Sequence, residues 1–177
     1  GYIHPFYDGN GRTSRFISSY MLSQNLNKLI GYRISFTIKE HINKYYEAFK
    51  ICNHYNNRGD LTPFAEMFLE IVDVSMHQLY QALSERSEKL THYINLITQL
   101  PNAEDESMFR IYDYLIQAAL FSNMGISQKE LEHEMKMTYN TVRSRLKRIP
   151  EELLITNKQG NRSFYLLNLK AVDELLK

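Results

Sequence analysis

The run from Thr62 to Pro101 most constrains what this chain can fold into. Thr62 followed by Pro63 is a helix start: a hydroxyl that caps free amides, then a ring whose fixed φ suits the first helical position. Neither proline nor glycine interrupts Phe64 to Leu100, and Pro101 ends the run. Inside it Leu79, Leu83, Arg86, Leu90, Tyr93, Ile97 and Leu100 recur in alternating steps of four and three. That is an apolar seam broken once by Arg86. One helix of this length predicts a mainly α fold. The seam packs along its own domain, joins a second copy in a coiled-coil-like homodimer, or stiffens a rigid spacer.

The rest of the chain is read around that helix. Arg12 to Leu26 predicts a helix free of proline and glycine, and residues 27–36 a connector turning at Gly31. Thr37-Ile-Lys-Glu40 matches a capping box, predicting a helix from there to about Asn56. Arg58-Gly59-Asp60 is a break. After Pro101, the polar run Asn102–Ser107 makes the best domain limit, giving domains 1–101 and 102–177. Met108–Phe121 predicts a helix, Ser127-Gln-Lys-Glu130 caps a short one to about Met135, and Thr138 caps a third. Val142, Leu146 and Ile149 form the inner face of that third helix. Leu154 onward and Ser163 onward flank Asn157–Asn161, a hairpin with a glycine-containing loop. Three helices and a hairpin are the order of a winged helix-turn-helix.

Composition excludes more than it assigns. No apolar run is long enough to span a membrane and no secretory leader pattern opens the chain. The one cysteine, Cys52, cannot form an internal disulfide, which fits a reducing compartment and a cytoplasmic protein. Residues 1–101 hold 10 basic and 9 acidic side chains and residues 102–177 hold 11 and 11. Any nucleic-acid partner must therefore be argued from a local patch.

Residues 4 to 15, His4-Pro-Phe-Tyr-Asp8-Gly9-Asn10-Gly11-Arg12-Thr-Ser-Arg15, carry the chemistry. Gly9 and Gly11 permit backbone angles at which amides converge on an anion, and the following helix adds its own free amides and dipole. Arg12 and Arg15 are three apart on one helix face and suit phosphate oxygens. Asp8 is a hard oxygen ligand suited to Mg²⁺ with bound phosphates. His4 titrates near neutrality, as a general base should. Phe6 is expected to plug into the core and fix the loop.

This stretch resembles the Fic family, whose motif is His-x-Phe-x-Asp/Glu-Gly-Asn-Gly/Lys-Arg-x-x-Arg. All eight specified positions match. At roughly 5% usage per residue type, chance agreement is on the order of 10⁻¹⁰ per start position. A second block, Tyr45-Tyr46 through Asn53 and then Gly59-Asp-Leu-Thr-Pro-Phe64, is similar to the family's tyrosine-pair region. The resemblance covers residues 1 to about 75. It implies the C-terminal helices of a Fic fold followed by a winged helix-turn-helix with a small β-hairpin.

By that likeness the substrate is ATP with Mg²⁺, and the partner is a protein whose Ser, Thr or Tyr hydroxyl receives AMP. His4 is the implied base and Asp8 the metal ligand. Gly9, Asn10, Gly11, Arg12 and Arg15 are the implied phosphate cradle, and Tyr45, Tyr46 and Asn53 the nucleotide pocket. Gly11 argues for AMP transfer over phosphate transfer, where that position often carries Lys. The family also implies helices before the motif and a target-aligning flap, so residues 1–177 alone are expected to transfer AMP poorly. Ser84–Lys89 only approximates the family's inhibitory helix and is read as a solvated face.

The second module suggests a different partner. Lys136, Arg143, Arg145, Lys147 and Arg148 lie in a stretch without an acidic residue. Tyr139, Asn140 and Thr141 occupy the first turn of the expected recognition helix, where helix-turn-helix proteins touch bases. Lys158 and Arg162 sit on the expected wing. DNA binding by Tyr139, Asn140, Thr141, Arg143, Arg145 and Lys147 stands beside a plain interaction module with a solvated basic face. A DNA-binding regulator with a nucleotide-sensing Fic portion and a Fic-type phosphotransferase are the competing functions.

Overall fold

A computed structural model describes residues 5–176 and is mainly α. The chain divides into two compact units, Gly1–Leu83 and Ser84–Lys177. The first holds α1 (Asn10–Asn25), α2 (Lys28–Glu40), α3 (Ile42–Cys52) and the start of α4 (Thr62–Leu96). The second holds α5 (Glu106–Phe121), α6 (Gln128–Met135), α7 (Tyr139–Leu146) and α8 (Leu169–Leu175). A small antiparallel sheet joins them there, from β1 (Ile126–Ser127), β2 (Leu154–Gln159) and β3 (Arg162–Leu167), in the order β1-β3-β2. No helix of the described residues is long and apolar enough to cross a membrane.

The long helix starts at Thr62, as its Thr-Pro pair predicts. Asp60 Oδ1 accepts the Thr62 amide at 2.9 Å, and the Thr62 hydrogen bonds hold the Asp60 carboxyl below its ordinary range. The apolar seam divides along its length. Tyr93, Ile97 and Leu100 are buried in the second unit's core, whereas Leu83 is exposed. Packing in that unit therefore begins before Pro101, and the expected limit at 101/102 falls within it.

Residues 27–36 are not a connector but most of α2. Asn27 caps that helix, its Oδ1 accepting the Leu29 amide at 2.9 Å, and Ile30, Ile34 and Ile38 form a buried stripe at every fourth position. Gly31 makes no turn. A Cβ there would stand 2.5 Å from Ser23 Cβ and 2.7 Å from Ser19 O, so its bare backbone lets α2 lie close against α1. Thr37 likewise opens nothing. It is fully buried near the end of α2, its hydroxyl donating to Arg33 O at 3.4 Å. The chain breaks at His41 and α3 ends at Cys52, short of Asn56. Ile34, Ile38, Tyr45, Ala48, Met67 and Ile71 form the first unit's core.

The second unit follows its expected order closely. Ser127 and Glu130 close a full capping box on α6, and Thr138 accepts the Thr141 amide at the start of α7. Val142, Leu146 and Ile149 are buried. The strands run further than expected, pairing from Leu154↔Leu167 to Gln159↔Arg162, which leaves a turn at Gly160-Asn161. Two elements lay outside the expectation: β1, which pairs with β3 through Ile126↔Tyr165, and α8, capped by Asn168.

Candidate active site

The site is assembled by the turn that begins α1. Gly9 takes the left-handed conformation (φ 86°) as the helix N-cap, and no side chain caps the amides behind it. Asp8 closes the turn, its Oδ1 accepting the Gly9 amide at 2.6 Å. Gly11, expected to share the unusual geometry, lies inside the first helical turn; Gly9 alone supplies the reversal. Asn10 ties the approaching loop in both directions. Its Oδ1 accepts the Phe6 amide at 3.0 Å and its Nδ2 donates to Phe6 O at 2.7 Å. Phe6 itself does not plug into the core. It is more than half exposed, and the loop is fixed by Asn10 instead.

Arg12 Nη2 donates to Asp8 Oδ2 at 2.8 Å, an i,i+4 pair with both side chains largely in solvent. Such a pair adds little to stability and is readily exchanged for another partner. Arg15 is the more enclosed of the two arginines, and its Nη1 is buried without a hydrogen-bond partner among the described residues. A buried guanidinium donor left unmatched is costly, and an anion is the group that satisfies it.

Opposite stands α3. Tyr45 is buried and meets Phe49 edge to face at 5.1 Å, while Tyr46 is exposed. Asn53 is the C-cap of the helix. A cavity of about 750 Å³ is lined by Asp8, Gly9, Asn10, Gly11, Arg12, Arg15, Tyr45, Tyr46 and Asn53. These are the expected phosphate, metal and nucleotide positions, with the exception of His4, which lies outside the described residues. Three further residues share the wall: Tyr7, Ser14 and Phe49. Phe49 was readable in principle, standing one turn from both Tyr45 and Asn53 on one helix stripe.

Among the described residues no cluster of three His, Cys, Asp or Glu side chains is placed to hold a metal ion. What the wall offers a metal is the single carboxylate of Asp8. That suits an ion that takes its remaining ligands from phosphate and water, and not a closed protein cage.

The second expected site separates into two groups. Tyr139, Asn140, Arg143 and Lys147 are exposed on α7, with Thr141 partly covered and its hydroxyl 2.9 Å from that of Thr138. Arg145 departs from its expected role. Its guanidinium is hydrogen-bonded to Asp105 Oδ2, which also accepts Arg148 Nη1 at 2.9 Å. Asp105 is the N-cap of α5, taking the Ser107 amide at 3.0 Å and hydroxyl at 2.6 Å. The Ser107 hydroxyl, then Arg148, hold its carboxyl well below the usual range. Arg145 thus ties α7 to the start of α5.

The first 22 residues match the family model of the Fic/DOC family. Protein adenylyltransferase Fic from Aedes aegypti is 33% identical over 98 residues, covering 55% of this chain and 17% of the mosquito protein. The protein of that name from Culex quinquefasciatus gives the same figures. The one from Drosophila yakuba is 32% identical over 89 residues, covering 50% of this chain and 16% of its own length. The chain spans about a sixth of the length of these relatives. No solved structure matches it.

Proposed function

We propose, from the match of residues 1–22 to the Fic/DOC family model, that this chain carries the nucleotide site of a protein adenylyltransferase. The reaction moves AMP from ATP to a Ser, Thr or Tyr hydroxyl of another protein. One observation carries this reading: a single cavity of about 750 Å³ has guanidinium and uncapped amide donors on one wall and Tyr45, Tyr46, Phe49 and Asn53 on the other. Phosphates suit the first wall, because a helix N-terminus and two arginines favour negative charge. A base suits the second, where aromatic faces stack and an amide can pair.

In this reading His4 removes the hydroxyl proton of the target. The freed oxygen bonds to the α-phosphorus, and the bond from that phosphorus to the bridging oxygen breaks. Pyrophosphate departs. Arg15 holds an outer phosphate with its unmatched Nη1, and Arg12 exchanges Asp8 for a phosphate oxygen. Released from Arg12, Asp8 would hold Mg²⁺, whose chemistry is to neutralise phosphate charge. The remaining rate is positioning and preorganised charge. We place the protein in the cytoplasm on the ground that its single cysteine, Cys52, is free.

The test uses the protein that contains this chain, with Mg²⁺, a cell lysate and ATP labelled at either the α- or the γ-phosphate. We expect α-label on protein, no γ-label, and a loss of at least ~10²-fold in His4→Ala, the usual worth of a positioned base. Label persisting in His4→Ala removes His4 from the role. Transfer of γ-label alone makes the protein a phosphotransferase.

A further inference from the structure

The second unit has the order of a winged helix-turn-helix, and its outward face is not explained by its own packing. On α7 the residues Tyr139, Asn140, Arg143 and Ser144, with Lys147 at its C-cap, are exposed, opposite the buried Val142 and Leu146. Arg143 and Lys147 are four apart, so they stack on one side of the helix end and repel one another. Neither forms an ion pair among the described residues, nor do Lys136, Lys158 or Arg162. The contrast lies one position away. Arg145 and Arg148, facing the body of the unit, are both taken up by Asp105. Within one short basic stretch, the inward arginines are neutralised and the outward cations are left bare.

No acidic side chain pairs with these cations among the described residues, and two of those on α6 are engaged locally. Glu130 is folded back on Ser127, whose amide and hydroxyl it accepts at 2.8 and 2.7 Å. Glu134 stands 3.3 Å from His133. Both belong to α6, and no acidic residue lies between Lys136 and Arg148. Beyond α7, the hairpin carries Lys158 and Arg162 exposed on either side of the Gly160-Asn161 turn. Cations left unpaired on a surface return nothing to the fold. Their complement is a polyanion.

We propose that this face binds duplex DNA. Lys136, Arg143 and Lys147 take phosphates beside a groove that α7 enters, and Tyr139 and Asn140 stand at base level in its first turn. Lys158 and Arg162 on the wing grip the flanking backbone. Arg145 is a positioning residue, holding α7 against α5 through Asp105. This face lies on a different unit from the AMP site and does not depend on that reading.

Fluorescence anisotropy of labelled duplex DNA with the whole chain tests it. Affinity is expected to fall steeply with salt, with a log–log slope of about −0.9 for each phosphate neutralised. The double variant Arg143→Ala, Lys147→Ala should weaken binding at least ~10-fold and make that slope shallower by about two phosphates, with its thermal unfolding unchanged. Lys158→Ala should lower the slope by about one. Salt-independent binding, or a double variant that binds as the parent does, overturns the proposal. Equal displacement by duplex RNA or by poly-glutamate also overturns it, because the face would then be a general anion surface.

Discussion

Two helices of equal length, α1 and α5, each 16 residues long, are built for opposite ends. No residue of α1 is buried, and Phe16, Ile17, Tyr20 and Met21 all stand exposed on it. In α5, by contrast, Met108, Ile111, Tyr112, Leu115, Ile116 and Ala118 are buried, and the first five enter a core shared with buried side chains of α6, α7, β3 and α8. Yet α1 carries Arg12 and Arg15, and α5 lines no part of the cavity. Cavity lining and cohesion are carried by different helices. The helix that lines the cavity is seated by the close approach at Gly31 and by the partly buried Leu22, and α5 is held by bulk burial.

The largest expected effect measures that asymmetry directly. Leu115→Ala removes a fully buried side chain and should cost about 2–5 kcal/mol in chemical denaturation. Phe16→Ala on α1, at 70% exposure, should change stability by no more than about 0.5 kcal/mol. Comparable losses would mean that α1 is packed in a way its exposure does not express, and the contrast would collapse.

Gly31→Ala probes the close approach of α2 to α1. Alanine is favoured over glycine inside a helix by about 1 kcal/mol. Against this, the new Cβ meets the Ser19 carbonyl oxygen at 2.7 Å, and that atom belongs to the backbone of α1 and cannot swing aside. Overpacking of this kind costs about 1–3 kcal/mol. A net loss of stability is therefore expected, together with weaker ATP binding as α1 shifts and takes Arg12 and Arg15 with it. Calorimetric titration and thermal unfolding read the two effects. A stabilised variant with full ATP affinity would show that α1 tolerates movement without harm to the cavity.

How much of this was legible in sequence follows the same division. In the second unit, local signals and burial agree: Ser127 with Glu130 and Thr138 with Thr141 cap helices whose inner faces carry the expected apolar residues. In the first unit, two local signals were overruled by packing. Gly31 reads as a turn residue, but its lack of a side chain serves a helix crossing. Thr37 reads as a cap, but the buried stripe of Ile30, Ile34 and Ile38 carries the helix past it. Cavity residues drawn from the motif lie together because Asp8 to Arg15 are neighbours in sequence. Tyr45, Tyr46 and Asn53 came from the resemblance, and spacing alone did not distinguish them from packing residues. Pairing of Arg145 with Asp105 was invisible, because it joins residues 40 apart across two helices.

That pairing gives the smallest effect, and it is set by pH. Carboxyls held low in the first unit each depend mainly on one neighbour: Asp60 on Thr62, and Glu70 on Lys44. Asp105 depends on the Ser107 hydroxyl, then Arg148, with the Ser107 amide and Arg145 adding to them. A carboxyl depressed in the folded state stabilises fully above its unfolded pKa of about 3.9 and loses that contribution as pH falls toward the folded value. The arginines stay charged throughout, so only the carboxylate switches. Asp105→Asn should therefore be less stable than the parent at about pH 6, and the difference should narrow steadily below about pH 4. Chemical denaturation at a series of pH values measures it. A gap between parent and variant that stays constant down to about pH 2 would mean that the cap and clamp act by shape alone, and that the charge on Asp105 contributes nothing to seating α7 against α5.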